Sequence, residues 1–405
     1  MFCVAPIILF LYVWFRLVLP LPIGSFYKAA FAFLLCAASL KQLVFVKFGG
    51  FFAPDLPRWA IEIYGAAFNM LILLFVLTLL KDIVIIAATI AHILIPSVPL
   101  LHTNILTSSV IFAAAMLLTI YGNYEAQRLP GVRELTINVK DLPKEFDGYK
   151  IALLSDIHIS AQRGAPYAEE LVKRVNVLSP DSVFIAGDFV DGFVEPRSAD
   201  VAPLSGLKAR DVVVGVLGNH EYYFNPDQWK DYIENRLGIK ILLNEHKIIK
   251  RGEASIAVAG VADLAALRFE GEKRKKQQKG LAGIPDGVAK LAKQRSEGFE
   301  PPDVEKALSG IPEGVPIIIL DHQPGAAQRN ASAGAEVQLS GHTHGGMVPI
   351  LYAIVKKSNN GFVKGLYDVG GMTLYVSPGT GIWNGFMMRI GVPSEITLIT
   401  LKPAE

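Results

Sequence analysis

The chain has 405 residues, 51% of them hydrophobic, and is therefore longer than one ordinary domain. Its formal net charge is only +2, which argues against nucleic acid as an obligatory partner. Its two cysteines, Cys3 and Cys36, lie near the start, which excludes a disulfide or a thiolate metal site from the rest. Charge is uneven: nine Asp, Glu, Lys or Arg residues precede Glu125 and 67 follow from there on.

Residues 1–124 are predicted to form a transmembrane helical bundle. A spanning helix needs about 20 mostly apolar residues, and four stretches fit, at residues 2–21, 29–48, 60–80 and 105–122. The first lacks the basic leader of a signal peptide, so we expect it to be retained. The segment 83–95 is too short to span the membrane alone. Three alternatives remain for it: it prolongs the third helix, forms a re-entrant segment, or forms a fifth crossing. We predict four crossings of a multi-pass membrane protein.

The number of crossings decides which side the rest of the chain occupies. Four crossings place the amino terminus and the polar region on the same side. Six basic residues then share that side, against Arg16, Lys28 and Lys81 on the other, and they are Lys41, Lys47, Arg58, Arg128, Arg133 and Lys140. Because basic residues favour the cytoplasmic side, this distribution favours a cytoplasmic polar region.

Residues 125–149 read as a linker and a first edge strand, since residues 134–139 alternate apolar and polar side chains. Amphipathic helices are predicted at 167–178 and at 226–237, the latter with Asn225 as N-cap. Further strands are predicted at 239–243, 246–249, 256–261, 374–377 and 395–401. Two sheets packed face to face fit this pattern in a domain spanning 150–405, with 264–308 as an insertion or lid-like excursion.

Five short polar signatures recur in this domain, and apolar runs precede the first four. They are Ser155-Asp156-Ile157-His158, Gly187-Asp188, Gly218-Asn219-His220-Glu221, Asp321-His322 and Gly341-His342-Thr343-His344-Gly345. A lone histidine beside an apolar run is more often a buried core residue, but five of the chain's eight histidines lie in these signatures. Each set is expected where a strand reaches its carboxyl end, the edge at which open α/β sheets place active sites.

The residue types in these signatures indicate a centre for two metal ions. Hydrolysis of a phosphate ester near neutral pH is served by two cations about 3.5 to 4 Å apart, which activate a shared water and neutralise the developing charge. Asp156 and His158 are spaced to reach one ion, Asp188 can bridge two ions, and Asn219 offers a neutral oxygen to the second. The remaining nitrogen ligands are His322, His342 and His344.

His220 follows Asn219 directly and is better placed as a donor to a phosphate oxygen or as the acid that protonates the leaving oxygen. Asp191 or Glu221 is a candidate to orient the imidazole of His220. The alternative is that both residues are ordinary carboxylates of a loop or a helix cap.

The order D-x-H, G-D-x-x-D, G-N-H-E, a later His and G-H-x-H resembles the calcineurin-like metallophosphoesterases over residues 151–401. The resemblance implies a four-layer αββα sandwich and two divalent metal ions, with manganese expected and iron or zinc as alternatives. It implies one ion held by Asp156, His158, Asp188 and His344, and the other by Asp188, Asn219, His322 and His342. His220 is then the catalytic histidine that binds neither ion.

The leading hypothesis is a membrane-anchored phosphoesterase that hydrolyses a phosphate ester or diphosphate by attack of a hydroxide bridging the two metals. Residues 341–346 and 375–381 look like the bacterial membrane-associated branch of the family, which implies the inner membrane and a phosphorylated small-molecule or lipid-linked substrate. Some members there cleave the diphosphate of UDP-diacylglucosamine. The alternatives are a catalytically silent scaffold and a regulatory domain of a membrane transport or sensing protein, in which Lys81 and Asp82 form a buried or an interfacial pair.

Two features depart from the expected pattern. Asp321 stands where a small Ser or Thr is usual, and its carboxylate is expected to raise metal affinity or alter the basicity of His322. The basic run 273–276 reads as a solvated face or as a contact with membrane lipid headgroups. The oligomeric state is left open.

Overall fold

The computed structural model describes residues 4–268 and 300–404. It divides into two compact units, one formed by Met1–Gln127 with Asn384–Ile390 and the other by Arg128–Trp383 with Gly391–Glu405. The basic run 273–276 and most of the predicted excursion lie outside the described residues.

The first unit is helical. Its elements are α1 (Val4–Val13), a π-helical segment (Trp14–Val18), α2 (Ser25–Ser39), α3 (Lys41–Lys47), α4 (Arg58–Leu94) and α5 (Ile105–Gln127). By length and composition α4 and α5 are each long and apolar enough to cross a membrane, and α2 with α3, bent by 46°, adds a third candidate. The prediction of four crossings is not confirmed. Residues 83–94 prolong the third predicted helix, since α4 runs unbroken for 37 residues.

Apolar side chains such as Leu17, Leu71 and Ala115 pack at the centre of the helical unit, while many isoleucines and leucines are exposed on its outside. One carboxylate, Asp82, is buried among the helices. It accepts hydrogen bonds from Tyr12 at 2.7 Å and Arg16 at 2.8 Å and lies 3.1 Å from Nζ of Lys81. A buried carboxylate in an apolar helix is costly unless paired in this way.

Residues Asn384–Ile390 come from the carboxyl-terminal part of the chain but belong to the helical unit. Nζ of buried Lys41 donates to the carbonyl of Gly385 at 2.8 Å, and Asn69 donates to the carbonyl of Met387 at 3.0 Å. Gly122 permits the closest approach, because a Cβ atom there would lie 2.6 Å from Cγ of Met388. The unit is therefore assembled from two separate parts of the chain.

The second unit contains two six-stranded mixed sheets. The first has the order β1-β12-β2-β3-β4-β5 and the second β10-β11-β9-β8-β7-β6. The strands are β1 (Gly131–Val139), β2 (Lys150–Leu154), β3 (Ser182–Ala186), β4 (Val212–Val216), β5 (Lys240–Ile241), β6 (Glu245–Arg251), β7 (Ala254–Gly260), β8 (Ile317–Leu320), β9 (Val337–Ser340), β10 (Gly365–Val369), β11 (Met372–Val376) and β12 (Glu395–Pro403).

The two sheets pack against each other, as the sequence predicted. Phe184 and Val214 of the first sheet share one buried cluster with Val258 and Leu339 of the second. The buried strands read as continuous apolar runs because both of their faces are covered. This arrangement is the calcineurin-like α/β sandwich expected from the resemblance.

The described part of the second unit also contains seven α-helices. They are α6 (Ala165–Val177), α7 (Val194–Val201), α8 (Asn219–Tyr223), α9 (Pro226–Leu237), α10 (Val304–Leu308), α11 (Ala327–Ser332) and α12 (Pro349–Ser358). The predicted cap of α9 is present, since the Asn225 side chain accepts from the amide of Gln228. Unlike the other helices of eight or more residues, α12 has no buried residue.

Candidate metal centre

The five signatures lie at the carboxyl ends of strands from both sheets. Asp156 follows β2, Asp188 follows β3 and Asn219 follows β4, while His322 follows β8 and His342 follows β9. Because neighbouring parallel strands end at one edge, their following loops meet, and the packing of the two sheets brings the two edges together. All seven predicted ligands come together there.

The backbone at these positions is unusual. Asp156, His158, Asp188, His342 and His344 all have φ between 47° and 69°, the left-handed region that residues other than glycine rarely adopt. Each such residue costs of order 1 kcal/mol or more, and this strain concentrates at functional sites. Five of the eleven described non-glycine residues with positive φ are predicted ligands. We infer that the strained backbone positions the side chains of these ligands.

One group of donors contains Asp156, His158 and His344, all buried. Nε2 of His158 lies 3.2 Å from Nε2 of His344, and Oδ1 of Asp156 lies 3.6 Å from that His344 nitrogen. Two imidazole nitrogens and a carboxylate oxygen that approach one another this closely can share a single cation.

A second group surrounds Asp188 and Asn219. Oδ2 of Asp188 lies 3.2 Å from Nε2 of His322 and 3.6 Å from Nε2 of His158, so this carboxylate faces both groups. Oδ1 of Asn219 lies 3.1 Å from Nε2 of His322 and 2.7 Å from Nδ1 of His342. The positions are those expected of a bridging carboxylate and of a neutral oxygen ligand.

The donor set fits divalent cations. The other ring nitrogen of His322, Nδ1, lies 2.7 Å from the carbonyl of Ala186, so Nε2 is the nitrogen that would bind a cation in exchange for its proton. Oxygen and imidazole donors suit Mn²⁺, Fe²⁺ and Zn²⁺, whereas the described part of the site offers no thiolate. Close packing is allowed by glycine, because a Cβ atom on Gly218 would overlap Asp188.

Burial and neighbouring charges set the protonation of these groups. Burial and the charge of His322 lower the pKa of His342 to about 3, which keeps this imidazole neutral and able to bind a metal. Burial raises the pKa of Asp188, but the nearby charges of His322 and His220 outweigh it and leave that pKa well below its ordinary value. Asp188 is therefore a carboxylate at neutral pH.

His220 lies beside the metal-ligand groups and is held by Asp191. Oδ1 of Asp191 lies 2.5 Å from Nδ1 of His220, while Nε2 of His220 is 3.9 Å from Oδ2 of Asp188. Burial lowers the pKa of His220, yet the carboxylates of Asp188 and Asp191 raise it more, to about 9. This imidazole is consequently a proton donor at neutral pH.

Of the two carboxylates considered as partners for His220, the structure gives Asp191 that contact. Glu221 instead accepts hydrogen bonds from the backbone amides of Gly218 at 2.7 Å, Asp188 at 3.1 Å and Val190 at 3.1 Å. It therefore ties together the loops that follow β3 and β4.

Sequence reasoning missed several neighbours of the site. The rings of Tyr223 and Trp383 lie 5.3 and 6.4 Å from that of His220. The amides of Thr380 and Gly381 donate to the carbonyls of Ser155 and Asp156, so the 377–381 segment braces the first ligand loop. The Ser-Pro-Gly-Thr-Gly sequence of this segment was the feature from which its role could have been predicted.

Asp321, which stands where the family usually has Ser or Thr, accepts a hydrogen bond from Asn330 at 2.8 Å.

Two mixed sheets with this donor set at their joined edges define a calcineurin-like phosphoesterase. Residues 149–346 match the family model described as calcineurin-like phosphoesterase. Residues 149–346 therefore form a calcineurin-like phosphoesterase domain, and the long apolar helices of the chain together with the relatives below point to a membrane protein.

The chain is 36% identical over 296 residues to a transmembrane protein with metallophosphoesterase domain from Danio rerio, covering 71% of this chain and 61% of that protein. It is 31% identical over 279 residues to an uncharacterized metallophosphoesterase from Campylobacter jejuni, covering 68% and 64%. The match thus spans under two thirds of either relative. The solved 5′-nucleotidase precursor from Thermus thermophilus aligns at 16% identity with a TM-score of 0.34, over 62% of this chain and 54% of that one.

Proposed function

We propose that the protein is a membrane-anchored phosphohydrolase that uses two divalent cations to cleave a phosphate ester or diphosphate. One observation carries the proposal: seven buried or half-buried oxygen and nitrogen donors from five strand ends converge beside a histidine that has a partner of its own. A structural site would not need that additional imidazole.

The predicted ligands would divide between two cations, with Asp188 facing both donor groups. Asp156, His158 and His344 would hold one cation with it, and Asn219, His322 and His342 the other. Bound cations would supply an activated water and neutralise the charge of the reacting phosphate. Manganese is our proposal for the metal, since carboxylate and imidazole donors suit it.

His220 is proposed to donate a proton from Nε2 to the leaving oxygen of the substrate. Its Nδ1 is engaged by Asp191, and Nε2 is the nitrogen on the side of Asp188, 3.9 Å from Oδ2 of that carboxylate. The carboxylate fixes the ring and stabilises its charged form, as an orienting group does for a general acid. Proton donation matters most when the leaving oxygen is a poor leaving group.

The substrate proposed is a lipid-linked phosphate or diphosphate. The number of apolar helices exceeds the single span that anchoring to the membrane requires. A substrate held in the bilayer would explain the additional helices. We propose that the phosphoesterase unit faces the cytoplasm at a bacterial inner membrane, as the distribution of basic residues favours.

The test uses the purified full chain with Mn²⁺ and a panel of lipid-linked and soluble phosphoesters, with products identified by mass spectrometry. We expect turnover by the wild type, none by His344→Ala, and wild-type turnover by His102→Ala, which removes an exposed histidine of the helical unit. His220→Gln should lose about 10²-fold or more on alkyl esters and less on nitrophenyl esters. Folded, metal-loaded protein without turnover on any ester would indicate a silent scaffold.

One observation favours the second candidate, a sensing or transport role for the helices. The buried Asp82 with Tyr12, Arg16 and Lys81 forms a charged cluster inside an apolar unit, an arrangement often associated with ion pathways. Asp82→Asn would separate the two ideas, because a sensing role predicts altered regulation of turnover in liposomes, whereas a structural pair predicts only a lower melting temperature.

A further inference from the structure

A basic cavity lies next to the metal centre in the second unit, outside the site described above. Its volume is about 440 Å³. Three basic residues and one carboxylate contribute to its lining, and they are Arg128, Arg133, Lys364 and Glu395. Arg133 lies 3.6 Å from the buried Glu395, and the charged residues of the lining comprise three cations and one carboxylate.

The cavity wall reaches the residue that follows a predicted metal ligand. A Cβ atom on Gly345 would lie 2.6 Å from Cγ1 of Val392, 3.0 Å from Cβ of Pro378 and 3.3 Å from Cδ of Lys364, and all three residues line the cavity. Since Gly345 directly follows His344, the cavity and the metal centre share this short loop.

One residue of the cavity lining, Arg128, directly follows α5 in sequence, since that helix ends at Gln127.

Exposed apolar side chains occur in the cavity lining, next to it in sequence, and on α12. Among the described residues of the second unit, seven large apolar side chains are exposed, and five of them are Val132, Ile350, Tyr352, Ile354 and Leu366. Val132 lines the cavity and Leu366 follows Gly365, which does too. The other three lie on α12, whose Tyr352 packs beside Gly346 and whose last turn carries Lys356 and Lys357.

Apolar side chains at the surface beside basic ones are the composition of a segment that lies in the headgroup region of a bilayer. Lipid phosphates provide the complementary charge for the cavity, and acyl chains provide the apolar surroundings for α12. A soluble anion would complement only the first of these two features.

We infer that this cavity binds the phosphate of an anionic phospholipid headgroup, with α12 resting in the bilayer surface. Arg128, Arg133 and Lys364 contact the phosphate in this arrangement. The inference goes beyond the proposed function, because lipid binding is measured without turnover and can succeed or fail independently of hydrolysis.

The test is native mass spectrometry of the full chain in detergent with added phosphatidylglycerol, phosphatidylcholine or inorganic phosphate. Lys364→Gln and the triple variant with Arg128→Gln and Arg133→Gln are compared with Lys208→Gln, an exposed lysine outside the cavity. We expect retention of phosphatidylglycerol to weaken about fivefold for each charge removed, with no change in Lys208→Gln.

Equal retention of phosphatidylglycerol by wild type and Lys364→Gln would overturn the inference, as would equal retention of phosphatidylcholine. Binding of inorganic phosphate that Lys364→Gln abolishes, without any effect of that variant on lipid retention, would assign the cavity to a soluble anion instead. Lys364 is exposed, so we expect Lys364→Gln to fold. The comparison of that single variant with the wild type therefore decides the test even if the triple variant does not fold.

Discussion

Oδ1 of Asp191 lies 2.5 Å from Nδ1 of His220 and also 3.0 Å from Nδ1 of His158, so one buried oxygen serves a proposed acid and a proposed ligand. Burial raises the pKa of Asp191, but the charges of His158 and His220 lower it to about 2. The carboxylate is thus charged throughout the physiological range.

Asp191→Asn should shift the alkaline limb of the pH profile to lower pH. A histidine with a raised pKa is protonated below that pKa, so an activity that needs the protonated ring is lost as pH rises through it, near 9 for His220. Loss of an adjacent charge lowers the pKa by about 1 to 3 units. The measurement is kcat/KM from pH 6 to pH 10, with the exposed Asp231→Asn as control. An unmoved alkaline limb would show that His220 is not the acid.

Chelation should lower the melting temperature, and Mn²⁺ should restore it. A ligand that binds the native state alone adds about 2.7 kcal/mol at a concentration 100 times its Kd. Asp188→Asn should lose most of this increase, because Asp188 faces both donor groups. Differential scanning fluorimetry with and without EDTA measures the effect, and an undiminished Mn²⁺ response in Asp188→Asn would contradict the assignment.

Glu221→Ala should cost at least about 3 kcal/mol, since it leaves three buried backbone amides without acceptors, at about 1 to 3 kcal/mol each. Glu221→Gln retains one acceptor oxygen and should lose less. Denaturant titration gives both values. If Glu221 instead oriented His220, Glu221→Gln would move the alkaline limb of the pH profile, which we expect to stay in place.

Asp321→Asn should stabilise the protein at pH 8 and have little effect near pH 4. Burial raises the pKa of Asp321 to about 7, so the folded state holds a proton that the unfolded state releases. The wild type therefore loses stability as pH rises from about 4 to about 7, by on the order of 4 kcal/mol, and the amide does not. Melting temperatures of both proteins at the two pH values test this, and a difference independent of pH would refute it.

The sequence predicts the sandwich and the meeting of the signatures because both follow from local patterns. Buried strands appear as apolar runs, and a strand end brings its next residues to a common edge, as with Asp156 and Asp188. The choice between Asp191 and Glu221 could not be predicted, since both carboxylates are near His220 and only loop geometry distinguishes them. The number of crossings stays a prediction, because apolar composition does not reveal the bend between α2 and α3 and left open whether residues 83–95 continue the third helix, as they do in α4.

Asn384–Ile390 has a practical consequence for anyone who wishes to remove the membrane part. Expression of residues 128–405 alone would retain this strip but delete Lys41, Asn69 and Gly122, which hold it. Phe386, Met387 and Met388, now buried, would face water, and so would the buried guanidinium of Arg389. The helices are therefore a folding partner of this strip, and aggregation is the expected fate of a fragment that begins at residue 128.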